Sequence, residues 1–564
     1  VTKAKVKDGE KMSPKIFTLI NEKKITKEQV MKDVMAGIIV AIIALPLSIA
    51  LGISSGVSPE KGLITAIVAG FIISFLGGSR VQIGGPTGAF VVIVYTIVQM
   101  YGINGLIIAT LMAGIMLVIM GVLKLGDLIK YVPHTITVGF TSGIAITLLS
   151  TQVKDFLGLN IKNVPAEFIP KWQSYFSNMG TLNITAFLVG IGCILIMVFW
   201  PKVNKTIPGS VIALIVSTLA VQLFNLPVET IGSRYAQISS SIPVPSIPMF
   251  EIETIKVLFK PAMTIAILAA IESLLSAVVA DGMIDDSHDS NMELIAQGIG
   301  NIGSALFGGI PATGAIARTA ANVKNGGRSP ISGMVHAITL LLIMLLFMPL
   351  AKMIPMTTLA AVLIVVSYNM GEWSTFKSLL KAPKSDIIIL LLTFIFTIVF
   401  DLVVAIEIGM ILAMFLWIRR LAETTDIKKV QGIKSKRNKD GEVIQIDNNK
   451  ILIYEVNGPF FFGVVQDFIK MISKIETAAE VLLLDMRHTQ ALDASAISAL
   501  ERLHNHCNKH NIKLIISNLQ LQPKKALTKM EFVKSLGEEA VFNTREEGLK
   551  AAHEYINIEE KLLG

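Results

Sequence analysis

Between residue 33 and about residue 420 the chain is a succession of apolar runs separated by short clusters of Gly, Pro and Lys; beyond that point apolar and polar positions mix as in a soluble domain. A helix of about 20 apolar residues crosses a bilayer with its backbone hydrogen bonds satisfied internally. The runs 33–57, 62–76, 105–123, 182–200, 208–224, 262–281, 331–350 and 387–418 meet or approach that length, and the last is long enough for two spans broken near Asp401. The runs 86–100 and 311–323 are too brief to cross alone. The pattern predicts about fourteen membrane helices. Further on, 451–456, 481–485 and 512–517 read as strands, and 464–475, 494–510 and 525–536 as amphipathic helices, which makes one small layered α/β domain. The chain thus divides into an N-terminal segment (1–32), a membrane domain (33–420), a linker (421–449) and a soluble domain (450–564).

Composition agrees with this division. Of 564 residues, 52% are apolar and 16% charged, where a soluble protein carries about 25% charged residues. Nine lysines precede Met35 and no small-residue cleavage site accompanies them. The first run is therefore expected to be a span rather than a signal peptide, with the N-terminus cytoplasmic by the positive-inside rule. An even number of spans returns the soluble domain to the same side. Lys202 and Lys205, Lys377, Lys381 and Lys384, and Arg419 and Arg420 then flank cytoplasmic ends. The net charge of +8 follows from this topology and calls for no nucleic-acid partner. Cys193 and Cys507 fall in a span and in the soluble domain, so no disulfide framework is expected.

Two landmarks recur. Gly84-Gly85-Pro86-Thr87-Gly88-Ala89 is echoed by Gly309-Ile310-Pro311-Ala312-Thr313-Gly314-Ala315, and Tyr131-Val132-Pro133-His134-Thr135 by Met353-Ile354-Pro355-Met356-Thr357; the paired prolines lie 225 and 222 residues apart. A near-constant offset suggests a duplicated unit, and an odd number of spans per unit inverts the second copy, as in many secondary transporters. Pro fits the first turn of a helix, so Pro86 and Pro311 read as starts of half-helices, each preceded by an extended stretch (80–85 and 308–310). Non-helical backbone at membrane depth is tolerated where it lines a cavity or is buried in protein. The free N–H groups and positive dipole ends of two facing half-helices make a site for a small anion.

Each ionisable group inside a span costs about 2.5–3.5 kcal/mol on insertion scales, so the few present are informative. Glu272 lies mid-span, with Ser276 on the same helix face one turn later, which points to a coupling-ion or proton site. Arg318, seven residues beyond Pro311, adds fixed positive charge near the anion site. Asp401 and Glu407 read as turn and packing residues, and His134 and His336 as core or interface residues. Gly298-Ile299-Gly300-Asn301-Ile302-Gly303 matches a dinucleotide-binding string, but it follows a helical stretch with no βαβ unit around it and reads as close helix packing. His504, His506, Cys507 and His510 form too short a cluster to read as a metal site. Asp493 reads as a helix N-cap. No catalytic triad, phosphate loop or metal set appears in the C-terminal domain, and neither an enzymatic activity nor a cofactor is expected.

Taken together, Gly85-Pro86-Thr87, Ile271-Glu272-Ser273-Leu274-Leu275, Gly308-Gly309-Ile310-Pro311-Ala312-Thr313 leading to Ala317-Arg318, and Asn457-Gly458-Pro459-Phe460-Phe461-Phe462 ahead of a STAS-like domain resemble the SulP anion transporters over nearly the whole chain. The resemblance implies a mainly α membrane protein with a seven-plus-seven inverted repeat, a core domain moving against a gate domain, and a homodimer with cytoplasmic STAS domains. It places the anion at Thr87, Gly88 and Ala89 on one side and at Gly314, Ala315, Ile316, Ala317 and Arg318 on the other. The acidic residue of the family's eighth span corresponds to Glu272 and the following hydroxyl position to Ser276. Sodium-coupled bicarbonate carriers of the family use Asp and Thr there, and a hydroxyl where this chain has Ile316, which shifts the expected coupling ion from sodium to a proton. The stretch from Lys32 to Ser329-Pro330 is most similar to bacterial C4-dicarboxylate carriers. In anti-sigma-factor antagonists with this soluble domain, the residue after the motif Asp is phosphorylated; here it is Ala494 in Asp493-Ala494-Ser495-Ala496, so that switch is expected to be absent.

The resulting expectation is a secondary active transporter of sulfate, a C4-dicarboxylate or bicarbonate, proton-coupled and working by alternating access in the inner (plasma) membrane, with both termini cytoplasmic. Two alternatives stay open. One is an anion channel or exchanger, separable by saturable, gradient-dependent flux. The other is a nucleobase permease on the same fold; such carriers resemble the chain in the eighth-span Glu, but they lack a STAS domain and prefer a second acidic residue where this chain has Gly314–Arg318.

Overall fold

The computed structural model describes residues 12–127, 133–204, 208–235, 239–246, 248, 252–400, 402–430, 436–437, 443–444, 450–472 and 479–563. The expectations made for Asp401, Tyr131, Val132, Lys205 and the first lysines lie outside the described residues, as does the side chain of Glu407. The chain packs as two units, 1–411 and 412–564.

In the first unit, α1 (Lys27–Ser54) and α2 (Pro59–Leu76) lead into a two-residue strand β1 (Gly84–Gly85), a 3₁₀ turn (Gly88–Phe90) and α3 (Val91–Val122). Then come α4 (His134–Leu157), α5 (Ile184–Val203) and α6 (Gly209–Leu223). The second half repeats the plan with α7 (Ile252–Ile284), α8 (Ser290–Leu306), strand β2 (Thr313–Gly314), α9 (Ile316–Lys324), α10 (Ile331–Ala351), α11 (Met356–Met370), α12 (Lys384–Val399) and α13 (Leu402–Thr424). Gly102, at φ 68°, divides α3 into two arms, so α1–α13 comprise fourteen helical segments among the described residues, beside the shorter helices Lys15–Asn21, Phe168–Ser177, Ile231–Arg234 and Trp373–Leu379. Seven helices are long and apolar enough to cross a bilayer by length and composition: α1, α2, α3 with its leading turn, α4, α5, α7 and α10. The packing of the halves is reciprocal. α10 lies against α1 and α2, as α3 lies against α7 and α8; α12 lies against α4, as α5 lies against α11.

Small residues set these contacts. A Cβ on Gly298 would come within 2.6 Å of the Gly114 carbonyl, and one on Gly114 within 2.7 Å of the Gly298 carbonyl, so α3 and α8 touch backbone to backbone. Gly300 and Gly303 face Ile73 and Ile72 of α2. The glycine-rich string is thus helix packing, with α3 on one side and α2 on the other.

The half-helix starts differ from the expectation. Neither proline begins a helix: Thr87 after Pro86 is extended (φ −127°, ψ 161°), and α9 begins five residues past Pro311, at Ile316. Extended backbone persists beyond Pro311 because side chains and a neighbouring strand hold it. Asn301 Nδ2 donates to the Ala312 carbonyl (2.8 Å) and the Ala312 N–H donates to Asn301 Oδ1 (2.9 Å). Thr313 and Gly314 then pair with β1.

The second unit is a five-stranded sheet in the order β3 (Asp426–Lys429), β4 (Ile451–Asn457), β5 (Val481–His488), β6 (Lys513–Ser517), β7 (Val541–Phe542). β3, inside the stretch expected to be linker, is an antiparallel edge, and the other pairings are parallel. Side chains alternate as a pleated strand requires. Leu452, Tyr454, Leu482, Leu484, Leu514 and Ile516 pack under helices α14 (Phe462–Ile472) and α15 (Ala494–Lys509). Ile451, Ile453, Val481, Leu483 and Ile515 face the C-terminal helix Arg545–Leu563. Asp493 caps α15, accepting from the Ala496 N–H at 2.8 Å and from the Phe462 N–H at 3.0 Å. Cys507 points into this core, where burial pushes its thiol up to about 12, while His510 on the same helix end is exposed.

The backbone contact between α3 and α8 predicts an asymmetry between two glycines. Gly298→Val inserts carbons where a carbonyl already sits, and overpacking of this kind costs about 1–3 kcal/mol. At Gly282, near the end of α7, an added Cβ would meet nothing within 4 Å, so Gly282→Ala should be neutral or slightly stabilising. Thermal unfolding of the detergent-solubilised protein, followed by the loss of its monodisperse peak, should show a lowered midpoint for the first substitution alone.

Candidate anion-binding site

β1 and β2 run antiparallel, with Gly84 opposite Gly314 and Gly85 opposite Thr313, and so bring two helix starts to one place. This is a short crossing of extended backbone inside a helical unit, and side chains from several helices meet its polar groups. Thr65 of α2 accepts from the Ile310 N–H (2.7 Å), and Ser304 of α8 donates to the Ile310 carbonyl (2.7 Å). Thr319 of α9 accepts from the Ile83 N–H (3.1 Å), while the Ala315 N–H donates to the Ile83 carbonyl (2.9 Å). Asn322 donates to the Val81 carbonyl (2.9 Å).

α7 runs alongside and holds both strands. Thr313 Oγ1 donates to the Ala269 carbonyl (2.9 Å), and Gln82 Nε2 to the Ser273 carbonyl (3.0 Å). From the same helix Glu272 reaches the first helix start, where Thr87 Oγ1 donates to its Oε2 at 2.9 Å. Ser276, one turn on, is buried and donates to Thr319 Oγ1 at 3.3 Å. The two residues expected to share a coupling-ion site therefore have separate partners: Glu272 is tied to the first helix start and Ser276 to the second helix.

Arg318 is 2% exposed and lies behind the crossing. Its Nη2 donates to the Pro86 carbonyl at 2.9 Å, and its Nε and Nη1 have no hydrogen-bond partner among the described residues. The guanidinium passes over Gly85, where a Cβ would stand 2.2 Å from Nη1, and Gly85 has φ +155°. Gly314 is equally constrained, because a Cβ there would overlap the Gln82 amide.

What remains at the crossing is two uncapped helix starts. No side chain caps the turn at Gly88 or the start of α9. The first-turn N–H groups of Gly88 and Ala89, and of Ile316, Ala317 and Arg318, have no helical carbonyl to bind. Gly88, Ala89, Gly314 and Ala315 are buried, Thr87 is half-buried, and Ile316 and Ala317 are exposed, so the second start opens onto accessible space. Both dipole ends are positive, an arrangement whose chemistry suits an anion held by backbone N–H groups. Among the described residues no three His, Cys, Asp or Glu side chains converge as a metal site. Gln82, Asn301, Thr65, Thr319 and Asn322 were not singled out from the sequence. All but Asn301 act on segments far away along the chain, and the one local signal was that polar side chains recur within apolar runs.

Comparison with known proteins places this arrangement. The sequence pattern of the Sulfate permease family matches residues 30–393, and that of the STAS domain matches residues 442–548. The protein named "Putative sulfate transporter YvdB" from Bacillus subtilis is 40% identical over 493 residues, covering 87% of this chain and 91% of its own length. Bicarbonate transporter BicA of Synechocystis is 29% identical over 511 residues, covering 87% of this chain and 88% of its own. The solved transmembrane domain of a cyanobacterium bicarbonate transporter BicA superimposes with a TM-score of 0.62 at 29% identity, over 69% of this chain and 98% of that one. The murine Solute Carrier 26 family member A9 anion transporter, in its inward-facing state, gives a TM-score of 0.85 at 16% identity over 96% and 94% of the two chains, a likeness of fold. Because the family pattern runs through both halves of the membrane unit, crossing and helix starts included, this chain belongs to the sulfate permease family and carries a STAS domain on its C-terminal side.

Proposed function

We propose that the protein is a proton-coupled secondary transporter of a small oxyanion or carboxylate, drawn from sulfate, C4-dicarboxylates and bicarbonate, which it holds between the two uncapped helix starts. One observation supports this reading above the others: a carboxyl group, Glu272, is hydrogen-bonded to Thr87 at the first of those starts. An anion and an ionised carboxylate in one site repel each other, so anion binding favours the protonated form of Glu272. By linkage, a proton on Glu272 favours the anion to the same degree. That reciprocity is what a symporter needs. The names of the relatives, a sulfate transporter and a bicarbonate transporter, bracket the substrate class. In this reading Arg318 contributes charge from behind the crossing, and the N–H groups make the contacts. The chain would work as a homodimer in the cell membrane with both termini cytoplasmic, and the STAS unit would regulate or assemble it.

Uptake into proteoliposomes, with labelled sulfate, succinate and bicarbonate in parallel, identifies the substrate and separates carrier from channel by saturation. With the substrate known, Glu272→Gln should abolish accumulation against a gradient while leaving insertion and yield unchanged. The amide still accepts from Thr87 but cannot titrate. Continued concentrative uptake by that variant would show that Glu272 has no part in coupling.

Arg318→Ala should lower anion affinity at least roughly tenfold, since loss of a charged partner from a desolvated site costs about 2–5 kcal/mol. Arg318→Lys should recover part of it, because the charge remains while the planar fork is lost. A divalent anion should lose more than a monovalent one, its Coulomb attraction to a single charge being about twice as large. Binding titrations at low salt check both points; equal losses for both anion classes would make Arg318 a structural clamp on Pro86 and nothing more.

A further inference from the structure

A second cation-rich cavity lies at the C-terminal ends of α1 and α4, away from the crossing. Its volume is about 110 Å³, while a single water needs roughly 10–15 Å³ measured in this way. Lys154, Lys162, Lys171 and Arg234 line it, with Asp155 as the acidic residue. Arg234 is already engaged. Its guanidinium donates to both oxygens of Asp155 (3.2 and 2.6 Å) and to both oxygens of Glu229 (3.0 and 2.5 Å). That leaves three lysines facing the cavity; none donates a side-chain hydrogen bond to a described residue, though Lys154 lies within the attraction of the Asp155 and Glu229 carboxylates.

Lys171 is the informative one. It is 4% exposed and sits in the first turn of the ten-residue helix Phe168–Ser177. A cation there is disfavoured twice, by desolvation and by the positive end of the helix dipole. Burial without a counter-charge pushes its ammonium down to about 8. Lys154 differs, because the last turn of α4 suits a cation and needs no further explanation. A buried lysine in a helix's first turn, aimed into a cavity with two other lysines, gives that cavity the charge and the donors an anion needs.

We propose that this cavity binds a small oxyanion, held by Lys171, Lys154 and Lys162. Val92 and Tyr95 of α3 also line it, so it lies about 10 Å from the turn at Gly88, at 1.5 Å per residue along the helix. A second, wider cleft of about 440 Å³ shares Lys154 and Lys162 and adjoins it. An anion held here would be concentrated beside the helix that begins at the crossing. The assignment rests on these residues and is independent of the coupling proposed for Glu272. The same chemistry admits a free sulfate or phosphate and the phosphate of a lipid headgroup.

The test is equilibrium binding of radiolabelled sulfate to the purified full-length chain in detergent, and again in phosphatidylglycerol nanodiscs. Lys171→Gln should bind one equivalent of sulfate fewer per chain than the wild type, and Lys171→Arg should keep it. Lys162→Gln, at an exposed position that does not put folding at risk, should weaken the same equivalent severalfold. Loss of that equivalent in both environments assigns the site to a free oxyanion. An equivalent present in detergent and excluded in nanodiscs assigns it to a headgroup phosphate. If Lys171→Gln and Lys162→Gln bind sulfate as the wild type does, with equal stoichiometry and affinity, the cavity is not an anion site.

Discussion

The membrane unit is organised around extended backbone that has to survive among apolar helices. β1 and β2 are two residues each, too short to satisfy their flanks by pairing alone. A buried backbone group left without a partner costs about 1–3 kcal/mol. Thr65, Asn301, Ser304, Thr319, Asn322 and Arg318 meet these groups from α2, α8 and α9, and the carbonyls of Ala269 and Ser273 on α7 hold the side chains of Thr313 and Gln82. Their partners come from both halves of the chain, so the crossing exists only when the two halves are folded together. A crossing held from so many directions is preorganised, so an anion bound there as proposed would lose little free energy in ordering it.

The same framework accounts for the electrostatics. Helix starts left uncapped inside a protein are ordinarily a defect, because first-turn N–H groups need partners. Here two of them converge, one beside a carboxyl and both in front of a buried guanidinium. In the proposed mechanism the positive ends attract an anion and the carboxylate opposes it, so occupancy would depend on whether Glu272 carries a proton. Gly85 and Gly314 have no side chain for a related reason: Arg318 and Gln82 occupy the space that a Cβ would take.

Much of this was legible in the sequence, unevenly. The α/β alternation of the C-terminal unit was readable because strand period and burial are local; Leu482 and Leu484 face one side of the sheet and Val481 and Leu483 the other, as the pattern of that segment dictates. Asp493 was readable as a cap because capping acts within three residues. Thr87 was named through the family resemblance and Glu272 as a charge in an apolar run, and the structure joins them. The helix start after Pro311 was misjudged because the rule for proline is local, whereas Asn301 and β1 keep Ala312 to Gly314 extended from a distance. The separate partners of Glu272 and Ser276 were out of reach for the same reason: spacing shows a shared helix face but not which distant segment each residue meets.

The proposed coupling and selectivity both turn on the transported anion sitting at the two helix starts. Cys193 and Cys507 are both buried, so an introduced thiol can be read over a low background. Ile316, at the start of α9, is 39% exposed, and Met100, near the kink of α3, is 67% exposed. The rate of maleimide labelling of Ile316→Cys should fall severalfold when the transported anion is added at saturating concentration, while that of Met100→Cys stays constant. An unchanged labelling rate at Ile316→Cys, in a variant that still transports the anion, would place the substrate elsewhere and contradict the account.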